Sequence, residues 1–531
     1  MDVWSWISNL SNSGELLPDP THSPLVLQLA TSKKNQVIQL RANPTSGSNL
    51  NHFVTFSVSI HGFHSFNGEK TLWVSDTCSL SSSQPFLPLL LQLLQELISL
   101  SPTAQDSTCR RSDLLTLNPK AVSWVMDSHS PESFSGLFHL LFLTRIFWLC
   151  VLDVPAEVGT FYFHSLLAPN IETFTTKQSS ILKAFFFSVG VDVELCVMRT
   201  VGYMLAKWLI LKEVTGIGLP SPSPSPNLGF SYATESHGLW ILKGYVPVLG
   251  MDITRNNGNV GENNLIEAKE SLLKYALAHQ QLEVVIQMEY TIRYYDGYIL
   301  VNANVDNIRV HVARLGFRSS NSKSGGGDNY YAEERHFPSR MRVWVGPDIG
   351  STYLSVGGLS LGKSTHNQEK EVETQRVMKG SFGNSKAPRV KAATKTATKA
   401  RTKAWRWDQD AEGNVAVYDA VLCDTTTGIE VAAWSPGSGG ERPDVIRRRS
   451  NGGDRNFTKS GGWVVAGGGG DDGGGRAVGW RLNKEVEGSV MRWRMGCQVW
   501  LSYWPSEVRS EYFETRCVEW CDEVDLPLLP A

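Results

Sequence analysis

Beyond His366 the chain has no histidine: all twelve lie at or before that position in a sequence of 531 residues. A serine hydrolase whose nucleophile is Ser360, followed by an acid and then a histidine, therefore cannot be assembled. Cysteine is also sparse. The eight (Cys78, Cys109, Cys150, Cys196, Cys423, Cys497, Cys517, Cys521) are spread along a long chain, which excludes a disulfide framework and fits reduced thiols in a cytosolic or nuclear protein. Structural zinc sites need two close pairs, whereas Cys517 and Cys521 form one, with Cys497 and Cys423 elsewhere. The expectation is no metal, and buried free thiols in apolar strands.

An excess of one charge is lacking as well. Lys and Arg total 50 against 52 Asp and Glu, a net charge of −2, so no global field draws the chain to nucleic acid or a membrane, and such a contact would be local. Long hydrophobic runs are missing too. The strongest, Leu137 to Leu152, is about 16 residues where a span needs about 20. It contains His139 and Arg145, and an arginine near the centre of a span costs about 2.5–3.5 kcal/mol on insertion scales. It reads as a buried helix, with lipid association through the apolar helices of 137–211 as an alternative. The N-terminus has no basic region leading into an apolar core, so no signal peptide is expected.

What is present is patterned. Val54, Phe56, Val58 and Ile60 alternate with polar residues over His52 to His61, the period of a strand with one buried face; Leu25 to Leu29, Val37 to Leu40 and Thr71 to Val74 are shorter candidates. Phe86 to Leu100 and Ile181 to Leu211 carry helical spacing, with Asp192, Glu194 and Arg199 placed off the apolar face of the second. A Ser-Pro run from Ser221 to Pro226 predicts an extended linker. Beyond it, the segments around Asp296-Gly297 alternate as a long antiparallel hairpin with a type I′ turn and a bulge near Asp306-Asn307. A helix is expected over Leu265 to His279. Further strands are expected at Met341 to Val345, Val415 to Cys423, Ala477 to Leu482 and Ser489 to Tyr503. The resulting organisation is a mixed region over 1–215, a linker over 216–235 and an antiparallel β-rich region over 236–531, an α+β protein.

Four features bear on chemistry. Gly357, followed after four residues by Gly362-Lys363-Ser364, matches a phosphate-binding loop, in which backbone amides cradle phosphates, Lys363 reaches their oxygens and Ser364 holds Mg²⁺. That reading expects a following helix, Asn367 to Lys379, and an acidic strand at Ala420 to Asp424. It makes the chain an NTPase, the alternative from a different class. The same stretch spells a nucleophile elbow around Ser360, which the histidine positions exclude. Lys386, Arg389, Lys391, Lys395, Lys399, Arg401, Lys403 and Arg406 form a basic run without a carboxylate. It reads as a solvated loop able to meet an acidic protein, nucleic acid or anionic lipid. Trp500 and Trp504 fall on the strand face opposite the apolar one, beside Arg492 and Arg494, where they would form a partner-binding surface.

The strings Glu334 to Arg340, Trp405 to Asn414 and Phe513 to Pro527 resemble those of a land-plant protein family that has no assigned activity. The resemblance implies a plant intracellular protein and carries no site residue. Together these readings favour a non-catalytic intracellular binding or scaffold protein without a cofactor.

Overall fold

A computed structural model describes residues 2–12, 24–46, 52–104, 116–171, 179–215, 229–248, 280–316, 335–348, 353–355, 369–382, 390–403, 405–422, 463–466, 477–504 and 515–529. It is α+β, with seven α-helices among the described residues and antiparallel sheets. The chain divides into two compact units. Unit 1 comprises 1–232, 243–283 and 312–336, and unit 2 comprises 233–242, 284–311 and 337–531. A single cut at the Ser-Pro run does not describe this division, because stretches from beyond the run belong to unit 1. The run itself lies outside the described residues, and a strand already begins at Phe230, inside the span expected to be linker.

Unit 1 opens with helix α1 (Val3–Asn12) and an antiparallel sheet of β1 (Leu25–Thr31), β2 (Val37–Ser46), β3 (His52–His61) and β4 (Lys70–Val74) in that order, with β5 (Cys78–Ser79) also pairing β3. The alternation in β3 does what a period of two requires: Val54, Phe56, Val58 and Ile60 are fully buried. Helix α2 (Leu87–Ser99) carries Pro88 in its first turn and buries the stripe Leu89, Leu90, Leu93, Leu94, Leu97 and Ile98. After β6 (Thr103–Ala104), helices α3 (Pro119–Ser128) and α4 (Pro131–Phe147) each start with proline behind a capping side chain. Asn118 accepts from the Lys120 amide at 3.0 Å, and Ser130 from the Ser133 amide at 3.3 Å.

Helix α4 runs on through a π-helical turn (Trp148–Leu152) to α5 (Ala156–Tyr162). The stretch from Pro131 to Leu152 is long and apolar enough to cross a membrane, yet 78% of its apolar window is buried inside the protein, as in the core helix of a globular domain. Its Arg145 is paired with Glu96, a carboxylate that also accepts from Trp73 Nε1 at 3.0 Å and Gln92 Nε2 at 2.7 Å. The continuous helix expected over Ile181 to Leu211 is two helices, α6 (Ser179–Val189) and α7 (Val191–Thr215). They are broken at Gly190, whose φ of +93° is open to glycine and strained for other residues.

The remaining strands are β7 (Phe230–Ser236), β8 (Leu239–Val248), β9 (Gln280–Tyr294), β10 (Tyr298–Gly316), β11 (Arg335–Pro347), β12 (Tyr353–Ser355), β13 (Glu369–Phe382), β14 (Val390–Lys403), β15 (Trp405–Glu412), β16 (Val415–Leu422), β17 (Trp463–Ala466), β18 (Ala477–Asn483), β19 (Val490–Trp504) and β20 (Thr515–Pro527). One sheet runs β12-β18-β10-β9-β8-β7, with β6 and β17 also on β10; another runs β15-β16-β11-β19-β20; β13 and β14 form a two-stranded sheet. The β9–β10 hairpin stands as expected, but neither Asp296 nor Gly297 occupies the left-handed region, so its turn is not type I′. Within β10, burial shifts from Ile299, Val301 and Ala303 to Ile308, Val310 and Val312. The shift coincides with a change of antiparallel neighbour, from β18 up to Asn304 to β17 from Asn307.

Unit 2 is cored by tryptophan. Trp240, Trp480 and Trp493 have no exposed surface; the Trp493 ring lies 4.9 Å from Trp240 and 4.7 Å from Trp480, and Trp240 stacks on Tyr290 at 4.7 Å. Trp480 donates to the Asn414 carbonyl at 2.8 Å. The helix expected over Leu265 to His279 lies outside the described residues.

Candidate functional site

The five-stranded sheet of unit 2 has one buried and one exposed face, because β19 alternates strictly: Met491, Trp493, Met495, Cys497, Val499 and Leu501 point inward. The opposite parity builds a polar, aromatic platform. Trp344 on β11 lies against the backbone of Gly496, where an added Cβ would meet the indole at 2.0 Å, so glycine is what lets the ring settle there. Trp500 sits half-buried with the Arg340 guanidinium 5.0 Å from its ring centre, a cation–π arrangement. Its carbonyl accepts from the buried Ser339 hydroxyl at 3.2 Å, which fixes the strand beneath it.

Around the two rings, charges of both signs interleave. Arg494 meets Asp348 at 2.6 Å and Glu523 at 3.8 Å, Arg492 meets Glu523 at 3.3 Å, and Arg342 is paired with Glu412 and lies 3.8 Å from Asp419. Gln498 donates to Glu519 at 2.9 Å across the β19–β20 ladder, whose register sets Arg492 opposite Asp525 and Arg494 opposite Glu523. Each of these guanidiniums already has a carboxylate, so the face is not set up to neutralise a run of phosphates. Trp500 is thus where the alternation places it, whereas the side chain of Trp504 lies outside the described residues.

Cys517 and Cys521 correct the expectation of buried thiols: both are exposed on the same parity of β20, opposite Trp500 and Gly496, while Cys78, Cys150 and Cys497 are buried. Their pKa values are nonetheless raised, first by partial burial and then by neighbouring carboxylates, which opposes thiolate chemistry. Among the described residues no group of His, Cys, Asp or Glu could hold a metal ion.

The nucleotide reading loses its surroundings. Gly357, Gly362, Lys363 and Ser364 lie outside the described residues, as does Ser360. The flanking elements, however, are not those of a phosphate loop. Before it, β12 pairs antiparallel with β18. After it, the expected helix Asn367 to Lys379 is replaced from Glu369 onward by strand β13, so no helix N-terminus there faces the loop. The acidic strand is β16, paired antiparallel with β11 and β15 in a different sheet.

The basic run is likewise not a loop. Lys391, Lys395, Lys399, Arg401 and Lys403 belong to β14, and Arg406 to β15, while Lys386 and Arg389 lie outside the described residues. Thr394, Thr396, Thr398 and Thr402 favour extended backbone, a signal present in the sequence and overridden there by the charge.

Sequence reasoning missed a second constellation, in unit 1. Glu194 of α7 is almost fully buried and accepts from Lys243 Nζ at 2.5 Å, from the Tyr245 hydroxyl at 2.8 Å and from the Tyr232 hydroxyl. Arg199, one turn and a half along, grips Glu283 through two bonds of 2.7 and 3.0 Å, and Gln281 donates to the same carboxylate at 3.3 Å. Both residues were expected off the apolar face of an amphipathic helix; they are buried, and of the three only Asp192 is exposed. Burial raises the hydroxyl pKa of Tyr232 and Tyr245, with the Glu194 charge adding to it, so both stay protonated donors. This cluster is saturated with its own partners, which is how a fold secures buried charge.

No family model and no curated protein matches the chain. Among solved structures, the Clostridium perfringens NetB toxin in its membrane-inserted form is similar at 13% identity and a TM-score of 0.22, covering 45% of this chain and 88% of that one. Clostridium perfringens delta-toxin is similar at 9% identity and a TM-score of 0.20, covering 56% and 96% respectively. Likenesses at these TM-scores carry no argument about this chain.

Proposed function

We propose that the chain is a non-catalytic binding protein whose recognition surface is the exposed face of the β15-β16-β11-β19-β20 sheet, and that its partner is another protein. The observation that carries this reading is Trp500 held beneath the Arg340 guanidinium on the solvent side of a sheet whose other side is packed with Trp493 and its neighbours. Tryptophan and arginine are the residues that most often dominate protein–protein binding energy. Interleaved charges of both signs select a partner by complementarity rather than by net attraction. A photoreactive residue placed at Gln498 should cross-link the partner, while one at the exposed Glu132 of α4 should not. Gly496→Val, which displaces Trp344, should abolish the Gln498 product. Equal labelling from both positions would remove the reading.

A further inference from the structure

The charges on the exposed face of the β15-β16-β11-β19-β20 sheet are sorted by strand. The cations stand inside, Arg340 and Arg342 on β11 and Arg492 and Arg494 on β19, beside the half-buried rings of Trp344 and Trp500. The two outer strands present acids. On β20, Glu519, Glu523 and Asp525 are exposed, on the parity opposite to the buried Val518, Trp520 and Val524. On β15, Asp410 and Glu412 are exposed, on the parity that brings Glu412 to Arg342. No described side chain of either outer strand adds a cation to this face.

Pairing within the face does not use up the acids. Arg494 takes Asp348 at 2.6 Å, Arg492 takes Glu523 at 3.3 Å, Arg342 takes Glu412, and Arg340 reaches Asp419 at 3.9 Å. That matches one carboxylate to each guanidinium, and Asp410, Glu519 and Asp525 are additional, all three on the outer strands. Glu519 accepts from the Gln498 amide at 2.9 Å, a neutral donor that leaves its charge in place. We propose that the protein docked on this face is basic, carrying lysine or arginine on both flanks of a contact centred on Trp500. This rests on the recognition reading above and adds the chemistry of the partner. Surplus charge confined to the two margins, about 19 Å apart at ordinary strand spacing, orients a partner, while the rings between them supply the binding energy. An acidic protein or a phosphate backbone would meet like charge along both outer strands. A second copy of this chain would bring the same surplus of carboxylates instead of the cations that offset it.

The test titrates the full-length protein into a fluorescein-labelled peptide with two lysines on each side of a leucine, tryptophan, leucine centre, long enough when extended to span the five strands. Its counterpart has glutamates in place of the lysines. Polarisation should report binding of the first and not of the second. The triple variant Asp410→Asn/Glu519→Gln/Asp525→Asn, which removes the surplus and keeps the four ion pairs, should weaken binding roughly thirtyfold, about a factor of three for each exposed charge. Glu132→Gln on α4 should leave it unchanged, and circular dichroism melts establish that the variants are folded. A lysine peptide that does not bind, or that binds the triple variant as tightly as wild type, overturns the proposal. The photoreactive residue at Gln498 separates this inference from the reading beneath it. Capture that survives in the triple variant and is lost in Arg340→Ala/Trp500→Ala leaves the recognition face standing and overturns the basic partner. Sedimentation velocity showing self-association that Arg340→Ala/Trp500→Ala abolishes assigns the face to a second copy and overturns it as well.

Discussion

The two units treat charge in opposite ways. In unit 1, Glu194, Arg199 and Glu283 are buried and Lys243 is partly so, each bonded to named partners. In unit 2, Arg492, Arg494, Glu523 and Glu519 stand on an exposed sheet face, and the interior is tryptophan. Water decides what each arrangement does. Buried pairs lose their hydration and must be complete, so they fix geometry; exposed pairs exchange readily with water and with a partner's groups, so they are free to recognise.

The sharpest way to break this comparison is to remove the hub. Glu194→Ala leaves Lys243 and two tyrosine hydroxyls without their acceptor and should destabilise unit 1 by about 3–5 kcal/mol, read by equilibrium denaturation. Arg494→Ala on the exposed face should change stability by less than about 1 kcal/mol in the same measurement. Equal effects would erase the distinction between the units.

A smaller effect concerns unit 2's core. Trp480→Phe should cost more than Trp493→Phe, because only the former strands the Asn414 carbonyl. The difference is about 1 kcal/mol, measured on matched denaturation curves, and a reversed order would show that ring packing outweighs the bond.

A further effect, in unit 1, is on the pH dependence of stability. Lys207 is 1% exposed, its ammonium 5.4 Å from the Tyr203 ring centre, and burial lowers its pKa to about 7 from an ordinary 10.5. Between those values the unfolded chain holds the proton that the folded chain has released, so stability should rise with pH across that window. Lys207→Met should flatten this rise; an unchanged slope would assign the pH dependence to other groups.

Strands with one wet face were legible from the sequence. The Met491 to Leu501 series alternates as the pattern requires; in His52–His61 the apolar set is buried as expected, but Ser57 and Ser59 on the opposite parity are buried as well. Helix α7 was legible as a helix, but the burial of its Glu194 and Arg199 was not, because it is covered nearly all round and polar residues on such a helix mark partners rather than solvent. Those partners, Lys243 and Glu283, come from strands 49 and 84 residues away in sequence, a separation that local periodicity cannot bridge. At Glu369–Phe382 the phosphate-loop reading suggested a helix, and pairing with β14 prevailed, tertiary context overriding a local signal. On the exposed face the sequence showed Trp500, Arg492 and Arg494 together; the part played by Arg340 and Trp344 needed the neighbouring strand.

The most direct test of the account is to measure unfolding free energy and partner capture together for Arg340→Ala/Trp500→Ala. The account predicts folding stability within about 1 kcal/mol of wild type, with capture at Gln498 lost. A variant that unfolds easily yet still captures its partner would contradict it, for the exposed face would then be serving the fold rather than recognition.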